Sequence, residues 1–357
     1  MLNLSKSLED ILSQLIQIPS ETGNEGKIFA EIRDSTRSLK WQGFPYFREL
    51  DNNLIIKTGG KGETNIGLVG HMDTVPASRQ DQTVPDIRNG YIYGLGAVDM
   101  KAGLACMLKL TQEVATGKVN LKDNLSFVFY EGEEGPLPNG MTRMLNKSAL
   151  DHLDFAFVLE PTSQRYDIGC LGSITASISV KGRSAHSASP HLGINAIYEA
   201  NDLIDKIRLF KSKKVKVDKY FVTETMNITG IRTNNSHNMI PSEVVMVLNY
   251  RFPPMVSLKE AKDKVISIIE PNDDIHIKFT DLSPSCFVSA DLNKYLISGI
   301  ERSILPGWTD IAQLNRHGIA AINYGPGNLA VAHTSRERIS IKELNKFYNS
   351  LKKHLVK

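Results

Sequence analysis

Along the first half of the chain, segments with an apolar residue every three or four positions alternate with short runs that are apolar almost throughout. "SLEDILSQLIQ", "GKIFAEIRDSTRSL" and "KAGLACMLKLTQEVA" carry the helical period, whereas "NLIIKT", "NIGLVGHMD", "NLSFVFYEGEE" and "FAFVLEPT" read as strands, and "IRNGYIYGLG" as a glycine-punctuated hairpin. Strands without polar alternation are buried on both faces, so the pattern predicts an α/β sheet covered by helices on both sides. From about Gly169 the pattern changes. "SITASISVKG" alternates as a strand, "GINAIYEANDLIDKIRLF" has helical period, "ETMNITGIR" and "SEVVMVLNYRF" alternate, "SLKEAKDKVISIIE" is helical and "IHIKFTDL" is again a strand. That order, βαββαβ, predicts a ferredoxin-like unit. After about Leu282 the α/β pattern resumes, so residues 1–168 and 283–357 are expected to form one domain, with 169–282 inserted into it.

Composition narrows the classes of function. The chain has 357 residues, 41% of them hydrophobic, which suits two domains of ordinary size. Lys and Arg number 42 against 39 Asp and Glu, without blocks of like charge, so neither nucleic acid nor an anionic membrane is an expected partner. Apolar runs fall short of the roughly 20 residues of a membrane span. The N-terminal "MLNLSKSLEDILSQL" reads as an amphipathic helix rather than an apolar leader. Cys106, Cys170 and Cys286 are odd in number and widely spaced. They are expected to be buried and reduced, which points to a cytoplasmic setting.

The candidate chemistry sits at strand ends. His71 closes "NIGLVG", Asp99 follows the hairpin, Glu133 and Glu134 follow "LSFVFY", Glu160 follows "FAFVL", and His333 lies in "GPGNLAVAH". In open α/β sheets ligands gather at the carboxyl ends of strands, where groups from these distant segments would converge. Two histidines and three carboxylates suffice for a pair of borderline cations such as zinc, provided one carboxylate bridges. Each signal alone has a plainer reading: a structural histidine, a solvated acidic loop, or an N-cap aspartate before a helix. A dinucleotide loop at "GLG" fails, because its third glycine would fall on Asp99.

The ordered set "GHMDTVP", "DMKAG", "EGEEG", "LEPT", "RSAHSASPHLGINAI" and "GPGNLAVAH" resembles the zinc-dependent amidohydrolases that include succinyl-diaminopimelate desuccinylase, acetylornithine deacetylase and glutamate carboxypeptidase. The likeness runs over nearly the whole chain, and its local wording is most similar to desuccinylases of Gram-positive, actinobacterial type. It implies a two-domain zinc-peptidase-like fold, with an α/β/α metal-binding domain and an inserted lid and dimerisation domain. It implies two Zn²⁺ per subunit, with Co²⁺ or Mn²⁺ as substitutes: one held by His71 and Glu160, the other by Glu134 and His333, and Asp99 bridging. Glu133 would be the general base, and Asp73 would orient His71 through its other ring nitrogen.

For the inserted domain the resemblance implies that His186 stabilises the tetrahedral oxyanion, reaching it from the partner subunit of a homodimer. His191 is left as structural. Arg251 and Asn238 match positions that contact a substrate carboxylate, with Thr309 a candidate for the same pocket. Three positions depart from the family pattern: Arg336 precedes the glutamate after the last histidine, Leu171 stands where several desuccinylases have arginine, and Leu95 occupies a commonly polar position. The implied reaction is hydrolysis of a small N-acyl amino acid, N-succinyl-LL-diaminopimelate, to succinate and LL-diaminopimelate. The alternatives are deacylation of another N-acyl amino acid, a dipeptidase or carboxypeptidase activity, and a non-catalytic metal-binding dimer.

Overall fold

The continuous apolar runs become neighbouring parallel strands in a computed structural model, which describes residues 1–233, 236–289 and 291–357. Asn124–Tyr130, Asn65–His71, Phe155–Val158 and Ala320–Asn323 lie side by side in that order. The first three are buried almost end to end, as central strands covered on both faces must be. Asn53–Thr58 and Tyr46–Leu50 extend one edge as an antiparallel pair. On the other side Tyr166–Cys170 pairs antiparallel with Ala320–Asn323. The chain is thus mixed α/β, and its strands form three sheets among the described residues.

Helix Lys101–Ala115 explains the depth of this core. Twelve of its fifteen residues are buried, because it packs against strands Asn65–His71 and Asn124–Tyr130 on one side and helices Leu8–Ile16, Gly26–Arg37 and Ile341–Leu355 on the other. A leucine truncated to alanine in such a site costs about 2–5 kcal/mol. The outer helices are amphipathic and capped by their own sequence. Ser7 accepts the amide of Asp10 at the first helix, and Ser340 that of Glu343 at the last. The hairpin Asp86–Arg88 and Tyr91–Tyr93 turns at Asn89 and Gly90, with φ of 51° and 76°, the left-handed pair a tight hairpin needs. Arg338–Ser340 adds a third strand to it.

Two compact units divide the chain: residues 1–168, 288–303 and 313–357 form one, residues 169–287 and 304–312 the other. The second is an antiparallel sheet in the order Lys213–Val217, Tyr220–Thr233, Glu243–Phe252, Gly172–Lys181, Ile275–Ser283. Alternation along Glu243–Phe252 sends Val244, Met246, Leu248, Tyr250 and Phe252 into a core shared with Leu203 and Ile207 of helix Asn201–Arg208 and Ala261 and Val265 of helix Leu258–Ile269. Strand Lys213–Val217 has no counterpart in the sequence-based order. Its alternating lysines hide a strand whose hairpin turns at Asp218. The expected single helix over 193–210 is two, Ala196–Glu199 and Asn201–Arg208. All three cysteines are buried, and Cys170 faces Cys286 with sulfurs 3.7 Å apart. Among the described residues no helix is long and apolar enough to cross a membrane.

Asp167 is a buried acid outside the donor groups at the strand ends. Burial raises its pKa from 3.8 to about 6, against the hydroxyl donated by Ser303 and the charge of Arg165. A carboxyl whose pKa is raised on folding costs nothing below about 3.8, where both states are protonated, and destabilises increasingly until pH exceeds the folded value. Asp167→Asn should therefore raise the thermal midpoint at about pH 7.5, by an amount on the order of 2 kcal/mol in stability, and lose that advantage near about pH 4. Thermal melts across that range check it; a pH-independent difference would remove the titration argument.

Candidate metal centre

The carboxyl ends of the parallel strands carry the site. His71 is the last residue of its strand, and its Nε2 lies 3.2 Å from Asp99 Oδ1 and 3.8 Å from Glu160 Oε1. His333 Nε2 lies 3.2 Å from the other oxygen of Asp99, Oδ2, and 2.8 Å from Glu134 Oε1. One carboxylate therefore turns its two oxygens to two different histidines. Donor atoms of His71, Asp99 and Glu160 fall within 4.8 Å of one another, as do those of Asp99, Glu134 and His333. His71, Glu133 and Glu134 form a third such group, so Glu133 reaches the same cluster.

Electrostatics identify what this cluster favours. Burial opposes charge on His71, but Asp73, Asp99 and Glu160 outweigh it and hold its pKa well above 6.5. Hydrogen bonds to Asp99 and Glu134 lift His333 to about 10, against its partial burial. For Asp99 the two histidines outweigh burial and hold the carboxyl well below its ordinary range. Protons are thus drawn onto both imidazoles by a surplus of carboxylate. A dication at each histidine would displace that proton and answer the same surplus, so nitrogen and oxygen donors in this arrangement suit zinc-like ions.

Asp73 does more than its spacing implied. Its backbone carbonyl lies 3.0 Å from His71 Nδ1 and its Oδ1 3.4 Å from the same nitrogen. The two carboxylate oxygens also accept the amides of Glu133 and Glu134, each at 3.0 Å, while Thr22 donates its hydroxyl at 2.9 Å. One buried side chain therefore sets both a histidine and the acidic turn beside it. The sequence assigns no role to Thr22 or Gly325, and to Glu337 only a place in the family pattern after the last histidine. Glu337, buried four residues after His333, accepts the amides of Gly96, Val98 and Asp99. Burial pushes its carboxyl up to about 7 against those amide bonds. A Cβ on Gly325 would come within 2.3 Å of the Glu160 carbonyl oxygen and 2.4 Å of that of Leu159. The only signals for these were a glutamate in "HTSRE" and the glycines of "GPGN".

Residues 67–357 match Peptidase family M20/M25/M40. The chain is also 31% identical over 355 residues to a succinyl-diaminopimelate desuccinylase of Corynebacterium glutamicum, covering 97% of this chain and 95% of that protein. The chain belongs to the M20 peptidase family. Among solved structures, a tripeptidase from Staphylococcus aureus superposes with a TM-score of 0.76 at 24% identity, covering 99% of this chain and 98% of that one. A dinuclear metal-binding M20 peptidase from Bacillus subtilis does so with a TM-score of 0.66 at 15% identity, covering 96% and 95%. Both share the fold. The M20 family is one of dinuclear metal-binding peptidases, and the two donor triads around Asp99 fit that arrangement.

The remaining expected site residues lie in the second unit. His186 is exposed; its Nδ1 accepts the Ala188 amide at 3.1 Å, and the next residue, Ser187, donates its amide to the Asn238 carbonyl at 3.0 Å. Asn238 is likewise exposed and accepts the Ser236 hydroxyl at 3.0 Å. Arg251, half-buried, donates to Asn249 Oδ1 at 3.1 Å; burial lowers its pKa, opposed by Asp281 and Cys170. Thr309 is buried, with its carbonyl 3.9 Å from the Cys170 sulfur. His191 is exposed in a short turn. Leu171, one of the departures from the family pattern, packs in an apolar cluster with Val217, Val222 and Ile304.

The glycine contact can be tested directly. Gly325→Ala should displace Glu160 and weaken zinc uptake by chelator-stripped protein at least about tenfold, with a stability loss of about 1–3 kcal/mol from overpacking. Gly43→Ala, where a Cβ meets nothing within 4 Å, serves as control. Calorimetric zinc titration checks it; equal affinities for both variants and wild type would remove the steric argument.

Proposed function

We propose that this M20 chain is a two-zinc amide hydrolase that cleaves N-succinyl-LL-2,6-diaminopimelate to succinate and LL-2,6-diaminopimelate. The observation that carries the reading is the pair of donor triads sharing Asp99, found in a chain 31% identical to a curated desuccinylase. Residues 1–168 and 283–357 would form the catalytic domain, and 169–282 a ferredoxin-like lid and dimerisation domain. His71 and Glu160 would hold one ion, Glu134 and His333 the other, with Asp99 bridging; Co²⁺ or Mn²⁺ would also suit these donors. When bound, such ions lower the pKa of water to about 7 and polarise an amide carbonyl.

The chain's own residues supply the rest. Glu133 takes a proton from the attacking water as its oxygen bonds to the acyl carbon, and delivers it to the amine nitrogen as the C–N bond breaks. Asp73 keeps His71 and the Glu133–Glu134 turn in place. His186 donates to the oxyanion from the partner subunit, while Arg251, Asn238 and Thr309 receive a substrate carboxylate. A cytoplasmic homodimer suits this reading. One observation favours a neutral acyl group instead: Leu171 fills an apolar cluster where several desuccinylases carry a cation. Acetyl-amino-acid deacylation is accordingly the second reading.

Release of primary amine by zinc-loaded protein separates the two. N-succinyl-diaminopimelate should be hydrolysed faster than acetylornithine, a dipeptide or a tripeptide; a faster acetyl substrate would establish the second reading in its place. Glu133→Gln should retain two ions and the fold yet lose about 10²-fold to 10⁴-fold in rate. Metal loss in that variant would make Glu133 a ligand rather than the base.

The dimer reading has its own test. Mixing Glu133→Gln with His186→Ala in equal amounts makes half the dimers mixed. Each mixed dimer regains one sound site if His186 acts across the interface, so activity should recover to about a quarter of wild type. Mixed dimers without activity above the separate variants would place His186 in its own subunit's site or outside the mechanism.

A further inference from the structure

Building on the two-metal reading above, we propose that Glu337 is a positioning residue that holds Asp99 in its bridging orientation. Its side chain is almost wholly buried, at 3% exposure, and its oxygens are taken up by one loop. Oε1 accepts the amides of Val98 at 2.9 Å and Asp99 at 3.1 Å, and Oε2 accepts that of Gly96 at 3.1 Å. The Glu337 backbone carbonyl accepts the Gly94 amide at 3.2 Å. Four donors between Gly94 and Asp99 are therefore satisfied by a single residue, and the last belongs to Asp99 itself.

The attachment matters because Asp99 has no slack. Its Oδ1 and Oδ2 stand 3.2 Å from His71 Nε2 and His333 Nε2 respectively, so a rotation of the loop that improves one contact gives up the other. Glu337 lies four residues beyond His333, and the segment between them leads into strand Arg338–Ser340, which pairs with Tyr91–Tyr93 just before the Asp99 loop. The clamp thus joins the segment carrying one histidine to the loop carrying the shared carboxylate. Three amide donors require two acceptor oxygens. A glutamine offers one oxygen and an amino group, which would oppose an N–H and leave it buried without an acceptor.

The test compares wild type, Glu337→Gln and Glu337→Asp as chelator-stripped proteins titrated with zinc in a calorimeter, with metal-free melting curves alongside. In both variants the weaker-binding ion should lose at least about tenfold in affinity and the tighter one less, tenfold being a change the calorimeter resolves readily. Should glutamine prevent folding, the aspartate variant, which keeps the charge but shortens its reach, carries the same expectation. On an Asp99→Asn background the Glu337 substitutions should have no further effect on zinc binding, since their action runs through Asp99. Wild-type zinc affinities in a variant with a lowered metal-free melting temperature would make Glu337 merely structural and overturn the proposal. Independent effects of Glu337 and Asp99 on zinc binding would overturn it as well. Fewer than two ions on wild type itself would instead bring down the two-metal reading, and the proposal with it.

Discussion

Mutual repulsion among carboxylates is the constraint around which the first unit is built. Donor atoms of Asp99 lie within 4.8 Å of those of Glu134 in one group and of Glu160 in another, with Glu133 and Asp73 beside them. Like charges at that distance cannot all stay ionised without positive partners. In the chain alone the partners are two imidazolium groups, which explains why both histidines are shifted upward. The neighbouring acids are met by fixed donors, and the buried Lys101 lies close enough to Glu337 to feel its charge. Backbone amides point at Asp73 and Glu337, and the Thr22 hydroxyl completes the set. Dipoles of this kind hold Asp73 and Glu337 in place and leave the oxygens of Asp99, Glu134 and Glu160 to face the histidines.

The same logic accounts for the rigid surroundings. Buried acids raise the cost of any loosening, because each amide that lets go exposes both a donor and a charge. Leu159 and Glu160 are pressed against Gly325, and the Asp99 loop is pinned at the amides of Gly96, Val98 and Asp99. Strands buried on both faces set the edge from which these loops depart. Precision at the site is therefore inherited from the sheet, and loop conformation contributes only its last step.

Much of this was legible in the sequence because the donors sit where apolar runs stop. His71 ends its strand, Glu160 comes two residues after its own, and Glu133 and Glu134 come three and four residues after theirs, and the structure brings them together with Asp99 and His333. The roles of Glu337, Thr22 and Gly325 were not legible, since they act on segments remote along the chain, Glu337 and Gly325 through backbone groups and Thr22 through the Asp73 carboxylate, and no local pattern records that. In the second unit the core alternation of Glu243–Phe252 was readable, whereas strand Lys213–Val217 was not. Its apolar face is only Val215 and Val217, too short among the lysines to announce a strand. Nor does the helical period over 193–210 reveal the break near Ala200.

The pairing of Cys286 with Cys170 and of Phe287 with Gly169 brings the two ends of the long intervening segment to adjacent positions. Phe155–Val158 must find Ala320–Asn323 as its parallel neighbour although that whole segment separates them. Loop-closure entropy grows only logarithmically, about 0.6 kcal/mol per doubling of length, but a long open chain must still search. Once the segment has folded on its own with its ends side by side, the search is that of a much shorter chain. Evolution can then lengthen, shorten or redecorate the interior of the segment while the host sheet registers no change in the distance its own strands have to bridge.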